Sequence, residues 1–188
     1  NIRKPLFLLL LFVGACSTDS HSPSTEDVGQ WQQTAEKLTT LLKEEKFRET
    51  ENLTKTKIAE LLENANDTEE NDTLIKYARQ ILSISYYNYL KSKQFRSGIE
   101  YMDSLSQISF IHENCKHELL SARASMHQMY GDNKQAIELA DEYLQLPDYE
   151  DADRFIPQAE IISGVYIYSG NDIPQAIRIL EKAMKAYR

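Results

Sequence analysis

Glycine and proline are scarce in this chain of 188 residues, which contains 6 glycines and 5 prolines. From residue 28 onwards, proline occurs only at positions 147, 157 and 174. Alternating apolar and polar runs are almost absent from the same region, so the sequence gives little indication of β-strands. Apolar residues instead recur at spacings of three and four, which predicts an all-α chain.

Motifs for catalysis and for nucleotide binding are also missing. The sequence has no G-x-S-x-G segment, no phosphate-binding P-loop and no H-E-x-x-H segment. Its paired acids are mostly adjacent residues of predicted helices, where neighbouring side chains point in different directions. We therefore expect no catalysis and no cofactor within these residues.

Basic clusters are absent as well. The formal net charge is −8, and lysines and arginines are interleaved with acids along the predicted helices. Nucleic-acid binding needs a clustered basic face, so this class of partner is excluded. The chain has a single tryptophan, which argues against a carbohydrate-binding protein with aromatic-rich loops.

Histidine and cysteine come together only in residues 112–117, HENCKH. Such donors suit a metal ion, but spacings of three and two spread them around a predicted helix, and no second cluster completes four ligands. We expect no metal site there and a structural or solvent-facing role. His127, further along the chain, is predicted to pack in the core.

The first sixteen residues have a different character. Arg3 and Lys4 precede the apolar run PLFLLLLFVGA, which ends at Cys16. This order is typical of an export signal, and the run is shorter than the roughly 20 residues that span a membrane. Residues 13–16 (VGAC) resemble the bacterial lipobox, and the resemblance implies that Cys16 is lipidated. An ordinary signal or an uncleaved anchor is the alternative.

A polar segment follows the signal. Residues 17–27, STDSHSPSTED, cannot bury an apolar face and are predicted to form a flexible tether. If Cys16 carries a lipid, Cys115 is the only remaining thiol, and an internal disulfide framework is excluded.

Three segments of the remaining chain repeat one design: a helix, a turn, and a second helix with a small residue early on. The small residue recurs at Gly98, Ala136 and Ala176, in steps of 38 and 40. A regular step of this length predicts stacked helical hairpins. With a weaker pair at the start, we predict four hairpins, formed by residues 30–44 and 47–62, 74–91 and 94–109, 113–130 and 133–146, and 152–169 and 173–187.

The last two hairpins resemble tetratricopeptide repeats (TPR). The final hairpin carries the matching residues Gly164, Gly170, Asn171, Ala176, Leu180 and Ala183. The third carries Ala124, Gly131, Asp132 and Ala136, and the first two hairpins diverge further. The resemblance covers residues 28–188 and implies a right-handed solenoid of about four antiparallel hairpins.

In this family the first helix of each hairpin lines a concave binding surface. The resemblance implies that this surface contains Gln80, Ser83, Tyr87, Lys91, Glu118, Ser121, Ser125, Gln128, Gln158, Ile161, Val165 and Tyr168. The set lacks the basic cluster by which some members bind a peptide's terminal carboxylate. We therefore expect a protein or peptide partner of another kind.

These features predict an exported, membrane-anchored binding module without catalytic activity. One hypothesis is the extracytoplasmic sensory region of a bacterial signalling protein, because sensor histidine kinases with TPR-like sensory regions look similar. The end of the sequence at Arg188, directly after a helix, favours a chain that continues. The alternative is a free-standing lipoprotein scaffold in the cell envelope. Pairing of two copies through a hydrophobic terminal face stays open.

Overall fold

A computed structural model describes residues 25–65, 72–146 and 152–186. The all-α prediction is confirmed for these ranges, which form α-helices and one π-helical turn without a strand. The helices are α1 (Thr25–Lys43), α2 (Phe47–Ala65), α3 (Asp72–Ser92), α4 (Phe95–Ser106), α5 (Ser109–Asn114), α6 (Lys116–Tyr130), α7 (Asn133–Leu144), α8 (Ala152–Val165) and α9 (Ile173–Ala186). None of them is long and apolar enough to cross a membrane.

The observed helices follow the predicted ones, with differences in some of their bounds. Helix α6 begins at Lys116 and not at residue 113, and α8 ends at Val165 and not at residue 169. Helix α1 begins at Thr25, so residues 25–27 of the predicted tether belong to it. Helix α5 was not predicted, because residues 94–109 were expected to form one helix. The Ser104 hydroxyl donates to the Tyr101 carbonyl at 2.6 Å, and that of Ser106 to the Asp103 carbonyl at 2.7 Å. Serine hydroxyls compete in this way with the helical ladder, and α4 ends here.

Four short turns reverse the chain between contacting helices, and each contains one residue with a positive φ. These residues are Glu45 (59°), Lys93 (59°), Gly131 (97°) and Asn171 (50°). In the first three turns an amide donates to a carbonyl five residues earlier, namely Lys46 to Leu41 at 3.0 Å, Gln94 to Tyr89 at 3.1 Å and Asp132 to His127 at 2.9 Å. This bond belongs to the Schellman motif, which ends a helix with a left-handed residue. The same turn therefore recurs with and without glycine.

The fourth turn is wider by one residue. The amide of Asp172 donates to the carbonyl of Tyr166, six residues earlier, at 3.0 Å. Residues Tyr166–Gly170 form the π-helical turn that accounts for the extra residue. The left-handed residue here is Asn171 and not the preceding Gly170. Gly170 instead lies close to α7, since a Cβ at this position would stand 2.9 Å from Cδ1 of Ile137.

The helices pack in chain order. Helices α1 and α2 pack on each other and on α3, and helices α3 and α4 pack on each other and on α6. Helices α6 and α7 in turn contact α8, and α9 packs on α8. Short turns between contacting helices make those neighbours antiparallel. The right-handed solenoid of four hairpins stays a prediction.

Helix α6 belongs to both hydrophobic clusters of the described residues. Its Leu119, Ala122 and Met126 join a cluster that extends from α1 to α6. Its Leu120 and Ala124 join a second cluster formed with α7, α8 and α9. Because α6 is buried on two sides, α3 and α8 are held on either side of it.

Candidate binding face

Helices α3, α6 and α8 are the first helices of three consecutive helix pairs, and we call them the first-helix row. Helix α6 contacts both of its neighbours in this row. Four of its buried residues are small: Ser121, Ala122, Ala124 and Ser125. The distance between packed helices depends on the side chains at the contact, so small residues allow a close approach.

Polar side chains connect the row from one helix to the next. The hydroxyls of Tyr86 and Ser125 lie 2.9 Å apart, and the Ser121 hydroxyl donates to Oε1 of Gln158 at 2.6 Å. Burial raises the pKa of Tyr86 to about 12, and the bond to Ser125 opposes this shift in part. Buried polar groups of this kind are stable only when they are hydrogen-bonded, so these pairs hold the helices in register.

A third connection joins α3 to the start of α6. Nε of Arg79 donates to the carbonyl of Asn114 at 3.1 Å and lies 3.7 Å from Oε1 of Glu118. The partners in the three connections are 35 to 39 residues apart, which is close to the repeat steps of 38 and 40 in the sequence. These pairs could have been predicted from the sequence, because their partners lie about one repeat step apart.

Five predicted binding-surface residues are therefore placed between helices and not on an open surface. They are Glu118, Ser121, Ser125, Gln158 and Val165, and all are buried. The TPR resemblance placed them on the concave face because a family pattern fixes helix orientation only approximately. The polar side chains of Glu118, Ser121, Ser125 and Gln158 serve the contacts between neighbouring first helices.

The other seven predicted residues remain accessible. Gln80, Ser83, Tyr87, Gln128 and Ile161 are partly exposed, and Lys91 and Tyr168 are exposed. Tyr168 is the most open of them, with 74% of its surface exposed. It lies in the π-helical turn that extends α8.

The carboxylate of Glu160 on α8 acts electrostatically on two tyrosines of α3, Tyr86 and Tyr87. The rings of Tyr86 and Tyr87 are tilted, with centroids 4.9 Å apart. Burial raises the pKa of Tyr87, and the charge of Glu160 raises it further. The same carboxylate also raises the pKa of Tyr86. Glu160 was not among the predicted residues, and nothing in its sequence context marks it.

The surface of α8 is open close to Glu160, at Ile161 and Gly164. Ile161 packs at the margin of the first hydrophobic cluster, as does Tyr87. A Cβ on Gly164 would meet no atom within 4 Å, so the backbone of α8 is uncovered at this point. We call Tyr87, Glu160, Ile161, Gly164 and Tyr168 the Tyr87 face. It offers aromatic and aliphatic contacts next to one carboxylate.

A concavity of about 480 Å³ lies beside α5, lined mainly by residues of α4, α5, α6 and α7. Its two basic side chains, Lys116 and Arg123, are engaged in ion pairs. Nε of Arg123 lies 2.6 Å from Oδ1 of Asp103, and Nζ of Lys116 lies 3.4 Å from Oε1 of Glu142. These pairs leave little charge to attract an ionic ligand, so the groove is the weaker candidate.

The donors of residues 112–117 do not converge. His112 is exposed, whereas Cys115 and His117 are buried. The ring of His117 packs edge-on against Tyr143, with centroids 5.3 Å apart. In the part of the chain that the structure describes, no three such side chains are arranged to hold a metal ion. His127 is largely buried, and its Nδ1 lies 3.5 Å from Oδ2 of Asp132.

No protein-family model, curated protein or solved structure matches this chain. The predicted lipidation site Cys16 and the signal segment 1–16 lie outside the described residues. The functional argument therefore depends on the geometry of the first-helix row.

Proposed function

We propose that this chain is a non-catalytic helical-repeat module that binds a peptide segment of a protein partner on the Tyr87 face. The supporting observation is the set of partly or fully exposed apolar side chains on α3, α8 and its π-helical turn, namely Tyr87, Ile161 and Tyr168, near the open space at Gly164. Tyrosine supplies a large contact area with few rotatable bonds and is enriched at binding hot spots. Glu160 favours a partner in which a basic residue flanks the apolar contact residues.

The TPR-like solenoid is part of the same proposal. Its support is the pattern of contacts between helices, since each first helix packs on both helices of the preceding pair. The recurrence of one turn geometry at Glu45, Lys93 and Gly131 supports it further. Solenoids of helix pairs present their first helices along one surface, which is where the proposed face lies.

Selection of binding peptides from a random library against the full chain tests this proposal. Peptides that occupy the Tyr87 face should bind at least about tenfold more weakly to Tyr87→Ala and to Tyr168→Ala, since a hot-spot aromatic contributes about 2 kcal/mol. Tyr130→Ala is the matched control. Tyr130 is an exposed tyrosine on α6, about 200° around the helix from Gln128.

The control should change binding less than about twofold, as expected for a surface residue outside the contact. Selected peptides whose affinity responds equally to all three substitutions, or to none, would contradict the proposed face.

We further propose that the chain is exported and held at a membrane by a lipid on Cys16. The support is the basic, apolar and small-residue order of the first sixteen residues. Metabolic labelling with an alkyne fatty acid in a bacterial host tests this assignment. The full chain should incorporate the label, and Cys16→Ser should not. Equal labelling of both chains, or of neither, would contradict it.

A sensory role in a signalling protein is the functional context that we propose for this module, with a free-standing envelope scaffold as the alternative. The reading frame beyond residue 188 distinguishes the two. An apolar span followed by a kinase or DNA-binding module would support the sensor. A stop codon within the next few tens of residues would favour the scaffold.

A further inference from the structure

The π-helical turn at the end of α8 is held against α7 at both of its ends. The hydroxyl of Tyr166, the first residue of the turn, donates to Oδ1 of Asp141 at 2.5 Å. At the other end, a Cβ on Gly170 would stand 2.9 Å from Cδ1 of Ile137. Ile137 and Asp141 are four residues apart, so they lie on the same side of α7. One side of α7 therefore contacts the first and the last residue of the turn.

Tyr166 also accepts the backbone hydrogen bonds that close the turn. Its carbonyl accepts from the amide of Asn171 and, at 3.0 Å, from the amide of Asp172. Its ring belongs to the second hydrophobic cluster, and only 4% of the residue is exposed. The side chain and the carbonyl of one residue thus connect α7 to the turn.

The hydroxyl of Tyr166 acts as a hydrogen-bond donor to a carboxylate, which is a stronger acceptor than a neutral group. Burial raises the pKa of Tyr166, and the hydrogen bond to Asp141 and the charge of that residue raise it further. A hydrogen bond with Gln175 of α9 opposes this shift in part. The hydroxyl therefore keeps its proton, and the bond to Asp141 persists over the ordinary pH range.

Tyr168 lies in the middle of this turn, with 74% of its surface exposed. One extra residue in a helical turn changes the direction of the side chains there by up to about 100°, the angle of one residue in an α-helix. We propose that Asp141 and Tyr166 are positioning residues, whose hydrogen bond fixes the π-helical turn and thereby the direction in which Tyr168 meets a peptide. This role rests on the proposed peptide binding at the Tyr87 face.

The other hairpins show the turn that the chain adopts without such a bond. At Lys46, Gln94 and Asp132 the amide donates to a carbonyl five residues earlier, and not six. Loss of the bond between Asp141 and Tyr166 lets α8 continue towards this shorter turn. Tyr168 then leaves its position, while Tyr87 on α3 stays in place.

A double-mutant cycle with selected peptides tests the proposal on the full chain. The probes are library peptides that respond to both Tyr87→Ala and Tyr168→Ala. Tyr166→Phe should weaken their binding about three- to tenfold. Adding Tyr166→Phe to Tyr168→Ala should weaken binding less than about twofold further, because both changes remove the same contact. Tyr87→Ala should keep its effect of about tenfold in the Tyr166→Phe chain, since that contact is separate.

Two further variants control for a general loss of stability. Tyr89→Phe is the matched control, because Tyr89 is buried and its hydroxyl donates to Glu51 of another helix at 2.9 Å. It should change peptide binding less than about twofold, as a change outside the contact does. Asp141→Ala removes the acceptor at an exposed position of α7, so it should reproduce the effect of Tyr166→Phe without altering the core.

Hydrogen exchange of the chain without peptide tests the turn itself. The amides of Asn171 and Asp172 should exchange at least about tenfold faster in Tyr166→Phe and in Asp141→Ala, because the turn opens more often. Tyr89→Phe should leave both rates unchanged.

Unchanged exchange in Tyr166→Phe and Asp141→Ala would overturn the proposal. Independent, additive effects of Tyr166→Phe and Tyr168→Ala on peptide binding would overturn it as well. Failure of the proposed function is seen in the unmodified chain instead, as a library without peptides that respond to Tyr168→Ala. That result would contradict the Tyr87 face and with it the positioning role, whatever the exchange rates show.

Discussion

At the scale of single residues, glycines on helices have opposite roles in this chain. A Cβ on Gly98 of α4 would stand 2.5 Å from Sδ of Met126 and 2.9 Å from Cβ of Tyr89. A methionine side chain can move, but the Cβ of a tyrosine is fixed to its backbone. Gly98 therefore sets how closely α4 approaches α3 and α6. The sequence identified this residue through the repeat, and the structure explains why it is small.

Alanine substitutions at two glycines should change stability in opposite directions. Gly98→Ala should lower the free energy of unfolding by about 1–3 kcal/mol, since the core is overpacked. Gly164→Ala, where no atom is in reach, should raise it by about 0.5–1 kcal/mol through helix propensity. Urea denaturation measures both. A Gly98→Ala chain as stable as Gly164→Ala would contradict the close helix approach.

Glu51 makes stability depend on pH. Its Oε1 lies 2.6 Å from Nζ of Lys55 and accepts a hydrogen bond from the Tyr89 hydroxyl at 2.9 Å. The hydrogen bond to Lys55 is the main cause that lowers the pKa of this carboxyl below its ordinary value of 4.5. Burial opposes this shift, and the hydrogen bond from Tyr89 lowers the pKa further. The pKa of Glu51 is lower in the folded chain than in the unfolded chain. Its contribution to the free energy of unfolding is therefore complete above pH 4.5 and is lost as the pH falls through the pKa of the folded chain.

Glu51→Gln should therefore flatten the decline in the free energy of unfolding below about pH 4.5, as linkage requires. Glu100→Gln is the control, because Glu100 forms an exposed ion pair with Arg96 and such pairs contribute little. Chemical denaturation at a series of pH values measures the effect. If both variants kept the slope of the unmodified chain, Glu51 would have no such role.

At the scale of helices and turns, much of the fold was predictable. Apolar spacing located the long helices, and glycine with an acidic residue located the turn at Gly131 and Asp132. The left-handed conformations at Glu45 and Lys93 were not predictable, because neither residue type favours them. Tertiary packing imposes them where the hairpin must close. The separate helix α5 also escaped prediction, although serines 104 and 106 were a local signal.

The left-handed residues give a paired prediction for the turns. Lys93→Gly should raise the free energy of unfolding by about 0.5–1 kcal/mol, because glycine removes the strain of a positive φ. Gly131→Ala should lower it by about 1 kcal/mol for the converse reason. A Cβ on Gly131 meets no atom within 4 Å, so only backbone strain is tested there. Thermal unfolding measures both changes. A less stable Lys93→Gly chain together with a more stable Gly131→Ala chain would contradict the shared turn geometry.

At the scale of the whole molecule, the row formed by α3, α6 and α8 relates the fold to the proposed function. Buried bonds between residues one repeat apart, such as Tyr86 with Ser125 and Ser121 with Gln158, hold the row together. The sequence predicted which helices form the row. It could not separate the buried from the open positions on it, since that depends on how far each helix rotates towards its neighbour.

Hydrogen exchange of the full chain with and without a selected peptide tests whether α3 and α8 form one binding surface. We expect the peptide to slow amide exchange in two separate segments at once, residues 83–91 of α3 and residues 158–168 of α8 and its π-helical turn. These segments are distant in sequence, and α6 contacts both helices. Protection confined to the groove beside α5, or to α9, would show that the binding face lies elsewhere and would contradict the proposed function.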